Sequence, residues 1–302
     1  MAEFRIVRLC GKKHWVWDGK ETFPAFPAGR FELSSKNMKN RLSVGDIVNI
    51  RTSAKGEHLI TELRPRKNKL SRRITFTGKE HVIAANIDEA AVVAAPNPVL
   101  KRGIIDRFLV ACNAQRINLS IVVNKADLLE DEEAEEISAP YLKMGIKVFF
   151  TSVLNDTGFE ELSERFRDKW VLLVGHSGVG KSSIANILSP EAELPVGEVY
   201  EGTLKGKHVT TSSTAVRLGG GGFLIDTAGL REFALFDVTQ SQIQSAFPEI
   251  ESLSATCKYS TCTHRREPAC SVISALEDGG LDPEEYQSYL TLMAEATDIV
   301  DG

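Results

Sequence analysis

The glycine-rich segment GHSGVGKS at residues 175–182 constrains the fold of this chain more than any other feature. It fits the pattern G-x-x-x-x-G-K-[ST], and it lies between the apolar run WVLLVG and the helical pattern KSSIANIL. In that context the backbone N–H groups of the loop face phosphate oxygens, and the helix N-terminus adds its positive dipole end. The segment therefore predicts a nucleotide-phosphate site on an α/β sheet.

Each position of this loop has a predicted role. Lys181 is expected to reach the β and γ phosphates and to take part in catalysis, and Ser182 is expected to offer its hydroxyl to Mg²⁺. The other loop residues are predicted to contact the nucleotide, and they are Gly175, His176, Ser177, Gly178, Val179, Gly180 and Ser183.

Two further segments complete the predicted phosphate and magnesium site. Asp226 ends the apolar run in FLIDTAG, where its carboxylate can hold Mg²⁺, and the N–H of Gly229 can bond the γ-phosphate. Thr210 in GKHVTTSS is the candidate Mg²⁺ ligand of the triphosphate state, with Thr211 as its nearest competitor. This assignment depends on the position of the threonines between the other two segments.

The segment Asn124–Lys125–Ala126–Asp127 follows the apolar run LSIVV and predicts recognition of guanine. A carboxylate at Asp127 accepts hydrogen bonds from the guanine N1–H and exocyclic amine, whereas adenine would leave that acid unpaired. We expect Asn124 to brace the neighbouring loop and Lys125 to lie over the base plane. Ser152, at the end of the next apolar run, is predicted to present its backbone to the base.

The guanine segment precedes the phosphate loop, which reverses the order of an ordinary GTP-binding domain. A parallel sheet places the loops that follow its strands along one edge, in whatever order the chain visits them. Cutting such a domain just after DTAG and rejoining its old ends yields the order in this chain. We therefore predict one nucleotide site in a circularly permuted α/β P-loop GTPase domain.

Charge and patterning divide the chain into three predicted domains. Residues 1–81 carry 18 Lys and Arg against eight Asp and Glu, although the whole chain has a net charge of -5. Short alternating apolar runs predict a basic β-barrel over residues 1–74, followed by the GTPase domain over 75–235 and a zinc-binding helical domain over 236–302. Six of the ten residues in 64–73 are basic, which indicates an exposed linker or a nucleic-acid contact.

The C-terminal part contains a cluster of metal-ligand residues. Cys257, Cys262, His264 and Cys270 follow the spacing C-x4-C-x-H-x5-C. Three thiolates and an imidazole form a closed tetrahedral set that suits one structural zinc ion. The odd total of five cysteines, in a chain that starts without a secretory pattern, indicates a reducing compartment.

The permuted motifs, the basic barrel and the Cys/His cluster together resemble the RsgA (YjeQ) family of ribosome small-subunit-dependent GTPases. The resemblance covers nearly the whole chain. It implies an N-terminal OB-fold that binds RNA and a structural zinc ion in the C-terminal domain. It also implies that the protein hydrolyses GTP with Mg²⁺ and acts in late maturation of the small ribosomal subunit. The expected partners are that subunit and its rRNA, together with GTP and GDP. The chain departs from the family at Ala228, because its motif is Asp-Thr-Ala-Gly and the family usually has Asp-Thr-Pro-Gly.

The residue that activates the attacking water is less clearly marked by the sequence. Many GTPases place Gln after the DxxG element, but Leu230 occupies that position here. The resemblance implies that His208, in GKHVTT, is the candidate for water activation, and a flexible loop histidine without a catalytic role is the alternative. His176 is expected to shape the phosphate loop.

Two other functions are compatible with parts of the sequence. One is a P-loop ATPase or kinase, which Asp127 disfavours, and the other is an RNA-binding protein that uses nucleotide only for folding, which Leu230 in place of Gln leaves open. No run approaches the roughly 18 apolar residues of a membrane span. We expect a cytoplasmic monomer, with an organelle stroma or matrix as the alternative if a targeting peptide was removed.

Overall fold

The computed structural model describes residues 3–29, 42–74, 77–97, 102–189, 213–226 and 233–300. The strands in these ranges are β1 (Phe4–Cys10), β2 (Lys13–Trp17), β3 (Thr22–Pro27), β4 (Ile47–Thr52), β5 (His58–Leu63), β6 (Lys69–Arg73), β7 (Glu80–Ala85), β8 (Glu89–Ala94), β9 (Asn118–Asn124), β10 (Lys147–Thr151), β11 (Lys169–Gly175), β12 (Thr214–Arg217) and β13 (Gly222–Asp226). The helices are α1 (Arg102–Ala114), α2 (Asp131–Lys143), α3 (Phe159–Phe166), α4 (Lys181–Leu188), α5 (Gln240–Ser245), α6 (Pro248–Ser254), α7 (Ser271–Glu277) and α8 (Pro283–Val300), with a 3₁₀ turn at Ala126–Leu128.

The first five strands form the predicted N-terminal barrel. They are paired in the order β1-β2-β3-β5-β4, and β4 returns to pair with β1 at Phe4 and Val48. Alternate residues point inward along these strands, so Ile6, Val16 and Ile60 are fully buried in a core of their own. The alternating apolar runs of the sequence therefore form the inward-facing core of a closed, five-stranded barrel.

The α/β domain is built on a sheet whose strands lie in the order β10-β9-β8-β11-β13-β12. The first five of these are parallel, and β12 runs antiparallel to β13. Their sequences are nearly continuous apolar runs, such as WVLLVG in β11, because helices cover both faces of the sheet. Of the four glycines at 219–222, the first three lie in the predicted turn between β12 and β13, and Gly222 begins β13.

The barrel and the α/β sheet are joined edge to edge. Strand β1 pairs with β12 at Arg8 and Thr214, so the two units form one continuous sheet of 11 strands. The guanidinium carbon of Arg5 lies 3.6 Å from the ring centroid of Trp170, and the ring of Trp17 packs against Phe223 with centroids 5.4 Å apart. A cation–π contact and an aromatic pair thus reinforce the backbone pairing.

The interpretation of residues 64–73 as an exposed linker is wrong for most of that segment. Its second half is strand β6, which pairs with β7 in a two-stranded sheet. In its first half, Arg66 Nε lies 2.6 Å from an oxygen of Asp46, whose side chain is fully buried. Arg66 therefore holds this segment against the barrel, because the buried carboxylate of Asp46 needs a paired cation.

The C-terminal region is helical, as the sequence predicts, and it packs on α1. Arg102 and Arg107 of α1 form ion pairs with Asp282, which precedes α8, and with Glu295 of α8. Phe247 and Tyr289 are fully buried and meet edge to face with ring centroids 5.7 Å apart. None of the helices in the described part of the chain has both the length and the apolarity that crossing a membrane requires.

Candidate nucleotide site and metal centre

The carboxyl edge of the parallel sheet brings together the predicted nucleotide-binding segments. The loop after β9 carries Asn124 to Asp127, β10 ends next to Ser152, and the loop after β11 is the glycine-rich segment. Asp226 ends β13, the strand beside β11, where it is in register with Leu173. Segments that are far apart in the sequence therefore meet at one edge, as the permuted arrangement predicts.

The glycine-rich loop passes close to its neighbours at two points where only glycine fits. Gly175 has φ +143°, and a Cβ there would lie 2.2 Å from the carbonyl oxygen of Val93 in β8. Gly180 has φ +97° and caps α4, and a Cβ there would lie 2.2 Å from Nδ2 of Asn124. The glycines allow the loop to lie tightly between β8 and Asn124 at the end of β9.

Lys181 lies at the start of α4 with its amine folded back over the loop. Its Nζ donates to the carbonyl oxygens of Gly175 at 3.0 Å and His176 at 2.7 Å, and the residue is only 8% exposed. Burial lowers the pKa of this amine, and the nearby carboxylate of Asp226 opposes that shift. The loop thus holds a buried cation beside the position where phosphate oxygens are expected to bind.

Asn124 connects the two permuted segments directly. Its Nδ2 donates to the carbonyl oxygen of Val179 at 2.9 Å, and its Oδ1 accepts from the hydroxyl of Thr151 at 3.2 Å. Asn124 is 2% exposed, so these hydrogen bonds are made away from water. The end of β9, the end of β10 and the phosphate loop are therefore held as one unit.

The residues predicted to recognise guanine are positioned by the turn after β9. Lys125 adopts a left-handed conformation with φ 60°, and its Nζ donates to the carbonyl oxygen of Asn97 at 2.7 Å. Asp127 lies in the 3₁₀ turn that follows, and its Oδ1 accepts a hydrogen bond from the hydroxyl of Ser152. The Asp127 carboxylate is thus oriented by Ser152, which lies in the loop after β10.

The contact made by Ser152 differs from the predicted one. Its backbone N–H donates to the carbonyl of Thr157 at 3.1 Å, and its carbonyl accepts from the N–H of Thr157 at 3.1 Å. Both backbone groups are therefore used by the turn at 152–157, and the hydroxyl makes the contact to Asp127 instead. Ser152 therefore contacts the predicted guanine-binding carboxylate through its hydroxyl, a contact that the apolar pattern of the sequence does not reveal.

The predicted magnesium ligands are only partly within the described residues. Asp226 and Ser182 provide a carboxylate and a hydroxyl from the ends of adjacent elements at this edge, and oxygen ligands of this kind suit Mg²⁺. His176 and Ser177 lie exposed in the loop, and Ser183 follows Ser182 in α4. The remaining predicted residues, His208, Thr210, Gly229 and Leu230, lie outside the described residues.

The four predicted metal ligands come together in the C-terminal region. Their ligand atoms all lie within 4.8 Å of one another. Sγ of Cys257 lies 3.8 Å from Sγ of Cys270, and Nδ1 of His264 lies 3.6 Å and 3.4 Å from those two sulfurs. A tetrahedral zinc ion with ordinary bond lengths requires separations of about 3.8 Å between sulfurs and about 3.6 Å between nitrogen and sulfur. The donor set and its spacing fit such an ion.

Ser254 selects the ring nitrogen of His264 that faces the sulfurs. The hydroxyl of Ser254 donates to the carbonyl of Ile250 at 2.6 Å, so it accepts from Nε2–H of the imidazole at 2.9 Å. This arrangement leaves the lone pair on Nδ1, on the side of Cys257 and Cys270. Burial also lowers the pKa of His264, which favours the neutral form that metals bind.

The loop between the ligands is held by residues that the sequence analysis did not identify. Glu267 accepts hydrogen bonds from the backbone N–H groups of Thr263, Arg265 and Arg266 at 2.8, 2.9 and 3.1 Å. The hydroxyl of Tyr286 in α8 donates to the carbonyl of His264 at 2.6 Å. In the sequence, the only sign of this role is that Glu267 lies three residues after His264 and directly before Pro268.

Comparison with known proteins identifies the family. The model of the RsgA GTPase family matches residues 63–236, which is more than half of the chain. The small ribosomal subunit biogenesis GTPase RsgA of Bacteroides fragilis is 36% identical over 272 residues, which cover 88% of each chain. The protein of the same name from Chlorobaculum parvum is 38% identical over 271 residues, covering 86% of this chain and 87% of the relative.

The chain belongs to the RsgA GTPase family. Solved structures agree with this assignment over the full architecture. YjeQ from Thermotoga maritima aligns with a TM-score of 0.77 at 26% identity and covers 98% of both chains. YloQ, described as a circularly permuted GTPase, aligns with a TM-score of 0.71 at 28% identity, covering 99% of this chain and 96% of that one. The barrel, the GTPase domain and the Cys/His-bearing region thus occur together in this RsgA-family fold.

Proposed function

We propose that this RsgA-family chain hydrolyses GTP to GDP and phosphate during late maturation of the small ribosomal subunit, and that the subunit stimulates the reaction. The observation that carries the nucleotide part is the hydrogen bond from Asn124 to Val179, because it holds the guanine segment and the phosphate loop as parts of one site. The names of the full-length relatives support the ribosomal part.

The proposed chemistry assigns a role to each part of the site. Asp127, held by Ser152, accepts from guanine, and Lys181 exchanges its loop carbonyls for the β and γ phosphates. Ser182, Asp226 and Thr210 would hold Mg²⁺, which neutralises developing phosphate charge when it is bound. We propose that Gly229 contacts the γ-phosphate.

His208 is proposed to position or activate the attacking water. We expect His208→Ala to keep GTP affinity within a few-fold, and to lose most of the stimulation by small subunits, because a residue that acts only in the transition state lowers turnover without lowering binding. Stimulated turnover equal to that of the unchanged protein would remove His208 as a candidate.

The remaining parts of the proposal concern the accessory domains. The N-terminal domain over residues 1–74, which contains the barrel of β1 to β5 and strand β6, is proposed to contact rRNA through its basic residues, and residues 75–235 are proposed as the GTPase domain. Residues 236–302 would hold one structural zinc through Cys257, Cys262, His264 and Cys270. We propose that the protein acts as a monomer in the cytoplasm.

The deciding experiment is turnover with and without purified small subunits, with GTP and ATP in parallel. The proposal expects hydrolysis of GTP but not ATP, with a rate that increases when small subunits are added. Hydrolysis of ATP at the same rate would favour a general P-loop ATPase. GTP binding without turnover under both conditions would favour an RNA-binding protein that uses the nucleotide only structurally.

A further inference from the structure

The contact between the GTPase domain and the C-terminal helices contains most of the buried polar atoms that lack a partner. In the described ranges, nine buried side-chain nitrogen and oxygen atoms have no hydrogen-bond partner. Seven of them belong to residues at the junction of α1, α2 and α8, which are Arg102, Asp106, Tyr141, Glu285 and Ser288. Folded proteins pair nearly all such atoms, so their concentration at one junction requires a specific cause.

Asp106 of α1 is the most deeply buried of these side chains. It is 0% exposed, and neither of its carboxylate oxygens has a hydrogen-bond partner in the described part of the chain. Nε of Arg102 lies 3.7 Å from its Oδ2, which is beyond hydrogen-bond distance. The ionised form of this carboxyl group is unfavourable, because burial removes the water that would stabilise its charge.

The guanidinium of Arg102 is directed towards a different carboxylate. It forms a close ion pair with Asp282, whose side chain is partly exposed. It also lies 3.6 Å from Oε2 of Glu285, which is buried. One cation therefore lies beside two buried acids, Asp106 and Glu285, while its short contact is made with a third. When both buried acids are ionised, the junction has an uncompensated negative charge, which is costly.

The surrounding groups do not supply a second cation. Around the two acids lie Arg107 of α1, Glu136 and Lys143 of α2, Glu249 of α6, and Asp282 and Glu284 at the start of α8. Arg107 forms its own ion pair with Glu295, Lys143 is exposed to solvent, and the others are acids. Within the described ranges, Arg102 is the single cation that pairs with either buried acid.

A proton on one of the two acids removes this imbalance. A protonated carboxyl group is neutral and provides an O–H donor, and the hydroxyl groups of Tyr141 and Ser288 near Asp106 can accept from it. Burial raises the pKa of Asp106 to about 6, although the Ser288 hydroxyl and Arg102 oppose the shift. Burial likewise raises the pKa of Glu285 to about 7.

The position of these groups connects their protonation to the docking of α8. Asp106 belongs to α1 of the GTPase domain, whereas Glu285 belongs to α8. If α8 moves away from α1, both acids reach water and return to ordinary pKa values of about 4. The docked state therefore binds the proton more tightly. Docking has the full support of the proton near pH 4, and it loses that support as the pH rises through about 6 to about 7.

We propose that Asp106 and Glu285 form a pH switch, which holds α8 firmly on α1 while one of them carries a proton and loosens this contact when both are ionised. The pKa of Asp106 is raised from 3.8 to about 6, which corresponds to a change of about 100-fold in the docking equilibrium. The switch acts on the Cys/His-bearing region, because Tyr286 of α8 donates to the carbonyl of His264. None of these groups belongs to the predicted nucleotide site, so the switch does not depend on the proposed GTP hydrolysis.

The test is hydrogen–deuterium exchange of the α8 amides in the full-length protein, measured by mass spectrometry at about pH 5.5 and about pH 8. Asp106→Asn is compared with the unchanged protein at each pH, because α8 has the same sequence in both and its intrinsic exchange rate therefore cancels. At about pH 8 we expect α8 to exchange at least about tenfold faster in the unchanged protein, since the variant leaves Glu285 alone with Arg102. At about pH 5.5 the two rates should agree within about twofold.

Asp106→Leu is a second variant, which removes the charge together with all hydrogen bonding, and α8 should again exchange more slowly than in the unchanged protein at about pH 8. Glu284→Gln is the matched control. Glu284 lies at the same junction, 3.9 Å from Arg102, but its side chain is 79% exposed, so its replacement should leave the pH dependence in place. The proposal is overturned if α8 does not exchange faster in the unchanged protein than in either Asp106 variant at about pH 8. It is also overturned if the variants change exchange equally at both pH values, or if Glu284→Gln removes the pH dependence.

Discussion

Removal of the Ser254 hydroxyl should weaken the metal centre although Ser254 is not a ligand. In Ser254→Ala the Nε2–H of His264 loses its acceptor at 2.9 Å, and the imidazole is no longer held with Nδ1 towards Cys257 and Cys270. Loss of a partner that orients a metal ligand typically costs about 10- to 100-fold in metal affinity. This corresponds to about 1.4 to 2.7 kcal/mol of binding free energy.

The assay is competition for zinc between the purified protein and a chromophoric chelator of known affinity. The ratio of the dissociation constants of Ser254→Ala and the unchanged protein gives the predicted factor directly. Cys262→Ser sets the upper limit, because it removes a ligand, and it should also lower the melting temperature of the C-terminal region. GTP affinity should be unchanged in both variants, since the nucleotide site lies on the sheet edge.

Ser252→Ala is the control for this measurement. Ser252 is exposed on the same helix α6, so its replacement changes helix propensity equally and leaves the imidazole in place. If Ser254→Ala binds zinc as tightly as Ser252→Ala does, the hydroxyl does not orient His264, and the assignment of Nδ1 as the metal-facing nitrogen fails. The absence of zinc in protein never exposed to a chelator would refute the metal centre itself.

Three further predictions concern other parts of the molecule. Asp127→Asn should shift preference from GTP to XTP in a competition assay, because an amide presents a donor where the carboxylate accepted. Asn124→Ala should lower the free energy of unfolding by about 2–4 kcal/mol and weaken GTP binding, because the carbonyl of Val179 and the hydroxyl of Thr151 lose their buried partner; denaturant unfolding and nucleotide titration check both effects. Glu285 has a folded-state pKa raised to about 7, so the folded state binds more protons than the unfolded state does, and this group costs stability as the pH rises from about 5 to about 8. Glu285→Gln should therefore lose less melting temperature over that interval than the unchanged protein, and an equal loss would contradict the assignment.

The sequence predicts those parts of the fold that depend on regular periodicity or on fixed motif spacing. The apolar run before Gly175 and the helix that begins at Lys181 lie where the pattern puts them. Parallel strands then bring Asn124 and Asp226 to the same edge, which follows from sheet geometry. Residue type and spacing alone likewise predict the cluster of Cys257, Cys262, His264 and Cys270, whose ligand atoms do lie together.

The residues that the sequence did not predict act through turns and single contacts. Ser254 is one of several serines in α6 and the loop after it. It becomes the partner of His264 only because the turn after α6 brings the imidazole back onto the helix. Ser152 was predicted to use its backbone, but a turn at 152–157 already occupies both backbone groups. Six basic residues in 64–73 predict a linker or a nucleic-acid contact, and the sequence does not show that Arg66 among them pairs with the buried carboxylate of Asp46. Such contacts depend on tertiary structure and leave no periodic signal.

The barrel attaches to the sheet next to the strand that carries Asp226. Thr214 of β12 is in register with Asp226 on one side and with Arg8 of β1 on the other, so these residues form a row across three adjacent strands. Neighbouring strands lie about 4.8 Å apart, and the candidate magnesium ligand is therefore about 10 Å from the first strand of the barrel. A displacement of the end of β13 must either break its pairing with β12 or move the edge that holds β1. The barrel is joined to this edge by the register pair of Arg8 with Thr214 and by the aromatic contact between Trp17 and Phe223, so we expect the barrel to follow a displacement of Asp226 as long as both contacts hold.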